Sequence, residues 1–237
     1  VNIHELYGKQ FKQAYEFLEK RAETGKVKIF KKVNAVTLWR KMLGMLFETG
    51  HPWICYKDSV NLRNTQPHIG TILSSNLCTE ITEVSKAGDP STGEGRETAV
   101  CNLGSVNLAR HISEGVLDTD KLERTVTTAM RMLDNVVDIN FYPIDSAEKS
   151  NKQHRPVGLG MMGFQDALYK MRIPYNSQKA VDFADKVHEY ISYHAISASN
   201  DLAQQRGTYP TFKVHCGNKV FYLLIVFTFF LKREAVI

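Results

Sequence analysis

Cysteine is scarce in this chain of 237 residues: Cys55, Cys78, Cys101 and Cys216 are all it has. No pair of them has metal-finger spacing, which excludes the common zinc scaffolds. A disulfide framework is not expected in a domain of this size, and no secretory leader opens the chain, so a reducing, cytoplasmic setting is expected. An initiator methionine is also missing. The start, "VNIHELYGKQ", reads as mid-helix and suggests a fragment. Charge of one sign is lacking too, because 30 basic residues face 25 acidic ones for a net charge of +5. The densest basic run, Lys26 to Lys32, interleaves charge with apolar residues, and no aromatic-basic array accompanies it. That excludes a nucleic-acid surface of the base-stacking kind.

Long hydrophobic runs are absent until Val220 to Leu231, "VFYLLIVFTFFL", where eleven of twelve residues are apolar. As a helix this run would measure about 18 Å against a hydrocarbon core of about 30 Å, too short to span a membrane. It fits a buried strand, and exposed it would be an aggregation hazard. The remaining composition, 43% hydrophobic and 23% charged, is that of a globular protein able to bury a core. No repeat stands out.

Periodicity and punctuation predict helices over about 4–22, 34–49, 119–138, 162–171 and 177–205. Asn34 is placed to cap the second, with Gly50 to stop it. "PWICYKD" predicts a short strand with Cys55 in the core. "TAVCNLGSVNL" predicts a buried strand carrying Cys101, reached through the polar loop "EVSKAGDPSTGEGRET". Strands separated by helices imply an α/β architecture with parallel strands.

"SSNLCTEI", Ser74 to Ile81, places an amide, a thiol and a carboxylate at Asn76, Cys78 and Glu80. A spacing of two splits such groups on a helix, whereas an extended segment puts them on one face, spanning roughly 13 Å. Leu77, Thr79 and Ile81 would then face the core. Either the three groups line a sugar-sized ligand, or this is a half-buried strand with an inert thiol. "GLGMMG", Gly158 to Gly163, matches the dinucleotide fingerprint G-x-G-x-x-G. Pro156 leaves little room for the strand that motif requires, and a second helix follows the first, so close packing of strand and helix explains the glycines better.

Joined to "ETAVCNLGSVNLARHI" and "NKQHRPVGLGMMGFQDALY", the octapeptide resembles the large, catalytic subunit of class I ribonucleotide reductase, from about Leu38 to Phe212. The resemblance implies part of a ten-stranded α/β barrel over residues 1–213, whose finger loop presents a cysteine at its tip. It implies that Cys78 becomes a thiyl radical and that Glu80 removes the 3′-hydroxyl proton. Asn76 would hold the sugar, within a substrate-binding stretch of Asn76, Leu77, Cys78, Thr79 and Glu80. Cys101 would be one of two cysteines that supply electrons, its partner lying upstream of Val1. No metal or cofactor would be bound directly. The radical would come from the metal centre of a small subunit, and the reductant would be thioredoxin or glutaredoxin. Homodimers and ATP or dNTP effectors are implied for the family, with the effector sites outside this stretch. Residues 214–237, including Cys216, do not resemble it and carry no assigned role. A cysteine hydrolase with Cys78 as nucleophile and His51 or His68 as base is the second enzymatic class. A non-catalytic barrel fragment is the third reading.

Overall fold

The computed structural model describes residues 2–212 and the backbone of a strand at 225–226. Two compact units divide the chain, Val1–Val84 and Ser85–Ile237.

The first unit is helical. Helix α1 spans Gly8–Glu23 and α2 spans Ala35–Thr49. As expected, the Asn34 side chain accepts from the Thr37 amide and Gly50 ends α2 in the left-handed region, where glycine carries no Cβ penalty. No strand forms at "PWICYKD". Its last two residues open the short helix α3, Lys57–Leu62, and Cys55 is exposed rather than in the core. From α3 the buried Asn61 reaches Ile72 in both directions: its Nδ2 donates to the Ile72 carbonyl at 2.9 Å, and its Oδ1 accepts from the Ile72 amide at 2.8 Å. This pair fixes the chain two residues before Ser74.

The second unit has a βαβ core. Strand β1, Asn102–Asn107, runs parallel to β4, Val157–Met162, with Leu103 opposite Gly158. Strand β5, Ile225–Val226, adds in parallel on the far side of β4. It falls inside the apolar run, whose other residues, with Cys216, lie outside the described ones. Strands β2, Ile112–Ser113, and β3, Val116–Leu117, form a small hairpin. Helices α4, Thr119–Ile139, and α5, Asp145–His154, cross over between β1 and β4. Helices α6, Phe164–Met171, and α7, Gln178–Arg206, follow.

Burial follows the sequence periods. Leu122, Val126, Met130, Leu133 and Val137 recur every three or four residues along α4 and meet Val187, Ile191, Ala195 and Ala198 of α7 in one core cluster. Val106, Val157 and Leu159 close that cluster from the sheet. The alternate residues of β1 and β4 therefore face the other way. "GLGM" is thus itself strand, and the nicotinamide motif is a coincidence of strand packing.

Candidate active site

Asn76, Cys78 and Glu80 do not lie on an extended strand. The Thr79 amide donates to the Asn76 carbonyl at 3.2 Å, closing a turn with Leu77 and Cys78 at its centre. Thr79 sits at φ 68°, a left-handed conformation that a β-branched residue rarely adopts. The reversal brings amide and carboxylate into contact: Asn76 Nδ2 donates to Glu80 Oε1 at 2.7 Å. The Ile81 amide donates to Asn76 Oδ1 at 3.0 Å. Asn76 thereby closes a five-residue loop that presents Cys78 at its exposed apex.

Leu77 is 80% exposed, so the expectation that it packs on a core is wrong. A turn has no alternating faces, and Leu77 follows the tip outward; Thr79 and Ile81 are half-buried. The other carboxylate oxygen, Glu80 Oε2, is buried and has no hydrogen-bond partner within the described chain. A carboxylate held by one oxygen, with the other unpaired, has a lone pair left for a general base to use. Cys55 lies upstream, its sulfur 3.3 Å from the Ser75 hydroxyl.

In the second unit Cys101 stands one residue before β1 and is half-buried, 3.9 Å from the Asn102 carbonyl. Its sulfur shares the side of the sheet bearing Leu103, Ser105, Gly158 and Gly160, opposite the α4 and α7 core. A Cβ on Gly158 would lie 3.4 Å from the Cys101 sulfur, whereas one on Gly104 would meet Leu133 of α4. The expected strand begins one residue after this cysteine, but it is not the buried strand expected: of β1 only Val106 is buried and Leu103 is 58% exposed.

Two polar networks that sequence patterns did not expose support this strand. The His154 ring bridges Thr211 and Glu97: Nδ1 lies 2.7 Å from the hydroxyl and Nε2 2.8 Å from the carboxylate. Lys86 donates to the other Glu97 oxygen at 3.1 Å. Burial alone would raise the Glu97 carboxyl, but His154 and Lys86 outweigh it and hold the group below its ordinary value. The loop joining Lys86 to Glu97 is thus tied to the end of α5, four residues before Cys101. Arg155, just after α5, forks across Asp134 and Asp138 of α4, bonds that keep its guanidinium protonated.

The base that a cysteine hydrolase would take from His51 is otherwise engaged, its ring stacked on Trp53 and its Nδ1 3.3 Å from the Thr49 carbonyl. Among the described residues no group of three or more His, Cys, Asp or Glu side chains is placed to hold a metal ion. No described helix is long and apolar enough to cross a membrane.

Known proteins carry the same stretch. The chain is 54% identical over 211 residues to the ribonucleoside-diphosphate reductase subunit alpha of Chlamydia trachomatis serovar D, covering 89% of this chain and 19% of that protein. It is 37% identical over 210 residues to the ribonucleoside-diphosphate reductase large subunit of variola virus, and 36% over 212 to the large chain of Cryptosporidium parvum. Those matches cover 89% of this chain and 26% and 25% of the relatives. The chain therefore spans about a fifth to a quarter of the length of the relatives it matches. The family description "Ribonucleotide reductase, barrel domain" matches residues 1–224, nearly the whole sequence and both of its structural units. With its βαβ core and its N-L-C-T-E turn, the chain belongs to the ribonucleotide reductase family, within the barrel domain.

Proposed function

We propose that this chain carries the radical cysteine of a ribonucleoside-diphosphate reductase. The observation that carries the proposal is the loop closed by Asn76 and Glu80, which puts the Cys78 thiol at an exposed tip, on the same turn as a carboxylate with one unpaired oxygen. The names of the relatives support a diphosphate substrate.

In this mechanism the Cys78 sulfur, as a thiyl radical, takes the hydrogen atom from C3′ of the ribose. Sulfur suits the step because its S–H bond is close in strength to the activated C–H bond, so transfer is nearly balanced. Glu80 then removes the 3′-hydroxyl proton with its carboxylate, and the 2′-hydroxyl leaves as water. The Asn76 amide fixes the Glu80 carboxylate and orients the sugar hydroxyls. Cys101 and a second cysteine thiol supply two electrons and two protons and close to a disulfide, which an external dithiol such as thioredoxin or glutaredoxin reopens by exchange.

The proposed radical source is the metal centre of a small subunit. The parent enzyme is proposed to be a cytoplasmic homodimer under ATP and dNTP control. Turnover belongs to that parent enzyme and not to the isolated 237-residue chain, which spans only part of the length of its relatives. Substituting Cys78→Ala in the full-length reductase tests the assignment. Nucleotide reduction is expected to vanish while substrate binding by equilibrium dialysis persists; turnover at the parent rate would refute it.

A further inference from the structure

No residue between Ile72 and Val84 is buried as a whole, so the Cys78 turn is mounted on those two. Val84 is held by packing: a Cβ on Gly70 would meet its Cγ1 at 3.0 Å. Ile72 is held by directional bonds instead. Asn61, 5% exposed, donates from Nδ2 to the Ile72 carbonyl at 2.9 Å and accepts at Oδ1 from the Ile72 amide at 2.8 Å. Its other N–H goes to the Lys57 carbonyl at 3.0 Å, so both donors are used and a flipped amide would face like groups. The helix beneath it is tied down as well. Asp58 accepts from the Gly8 amide at 2.8 Å, and Lys57 donates to the Leu6 carbonyl at 2.9 Å.

We propose that Asn61 is a positioning residue that sets the register of the segment presenting Cys78. The inference rests on the radical role given to Cys78 above. A slip of one residue along α3 would move the turn by about 3.3 Å and swing the Ile72 side chain out of its buried site. Burial of a side chain is non-directional and tolerates smaller shifts. Two hydrogen bonds of opposite sense do not, because their lengths and angles lie in narrow ranges. Hydrogen-atom transfer needs that control, since a misplacement of about 1 Å costs about a hundredfold in rate. Asn61 acts at a distance, through the backbone that leads from Ile72 into Asn76.

The test separates positioning from folding. In the full-length reductase, kcat and KM are measured for Asn61→Ala and Asn61→Asp, with rates normalised to the folded fraction from circular dichroism. Asn61→Ala is expected to lower kcat by about a hundredfold and to leave KM within about twofold. Parent kcat per folded enzyme overturns the proposal, as does a raised KM at constant kcat. Asn61→Asp keeps the size of the side chain and decides alone if Asn61→Ala does not fold. Its protonated carboxyl both accepts and donates, as the amide does, whereas the carboxylate only accepts and faces the Ile72 carbonyl oxygen with like charge. Burial raises the pKa of such a carboxyl, so kcat of this variant relative to the parent should climb as pH falls from about 8 to about 5.5. A flat ratio overturns the proposal. Cys78→Ala is assayed alongside. If it is inactive while Asn61→Ala turns over at the parent rate, the positioning role alone falls; if it turns over, the radical role falls and the inference with it.

Discussion

With one side-chain amide, Asn76 serves two partners, the Glu80 carboxylate and the Ile81 N–H. Hydrogen bonds of this kind contribute about 1 kcal/mol each, and bonds to a charged acceptor more. Asn76→Ala therefore frees both ends of the turn. Amide hydrogen exchange at Ile81 is expected to accelerate by about tenfold, the ratio set by 1.4 kcal/mol of lost local protection. Unchanged exchange would mean that the turn is held by its backbone bond alone. The period-two spacing of amide, thiol and acid pointed to a shared face, and the three residues do belong to one structural feature. The means is different: a hairpin-like reversal through a left-handed Thr79, which no residue preference announces because β-branched side chains disfavour that region. The strand beside Cys101 was more legible, since an apolar run with β-branched residues has few alternatives to a strand, although β1 buries only Val106.

At the scale of elements, Asp134 is the charge on which α4, the end of α5 and the end of α7 converge. Its buried carboxylate accepts from Arg155 and from Arg206, while Asp138, one turn on, is half-exposed. Removing one member of a buried ion network leaves charges without partners and costs about 3–5 kcal/mol, whereas an exposed pair contributes at most about 1. Asp134→Ala is expected to lower the urea unfolding free energy by that larger amount, and Asp138→Asn by the smaller. Equal effects would show that the network is solvated. This network also accounts for what the sequence concealed. Helix α4 announced itself through its apolar stripe, but α5 buries Ser150, Asn151 and His154, and of its apolar residues only Ala147. Hydrophobic periodicity cannot register a helix held in place by hydrogen bonds. "PWICYKD" failed in the opposite sense: it has strand-forming residues, but among the described residues no strand pairs with it to complete a ladder.

Across the described part of the second unit, acid acts on several carboxyls in one direction. Glu97 lies below its ordinary 4.5 because His154 and Lys86 outweigh its burial. Asp138 lies below 3.8, chiefly through its hydrogen bonds from Arg155. Asp89, fully exposed in the loop, falls to about 2 through the Ser91 hydroxyl and then the Thr92 and Ser91 amides. A carboxyl depressed in the folded state stabilises it above the unfolded pKa, and that stability is lost as pH falls through the folded value. The buried Glu97 dominates, since exposed groups such as Asp89 are screened by water. Urea midpoints should fall gently below about pH 6.5, because burial pushes the His188 ring below its ordinary value and the unfolded chain takes up that proton first; the carboxyl-driven decline should set in from about pH 4.5 downward. The first part of that decline should belong to Glu97, the group whose unfolded pKa is highest among the three. Glu97→Gln cannot lose a proton, so the variant should start less stable at neutral pH and show a shallower acid limb. A variant whose midpoint keeps the parent slope between pH 4.5 and 3 would place the acid sensitivity elsewhere, and would remove the His154 bridge from the forces that hold the approach to Cys101.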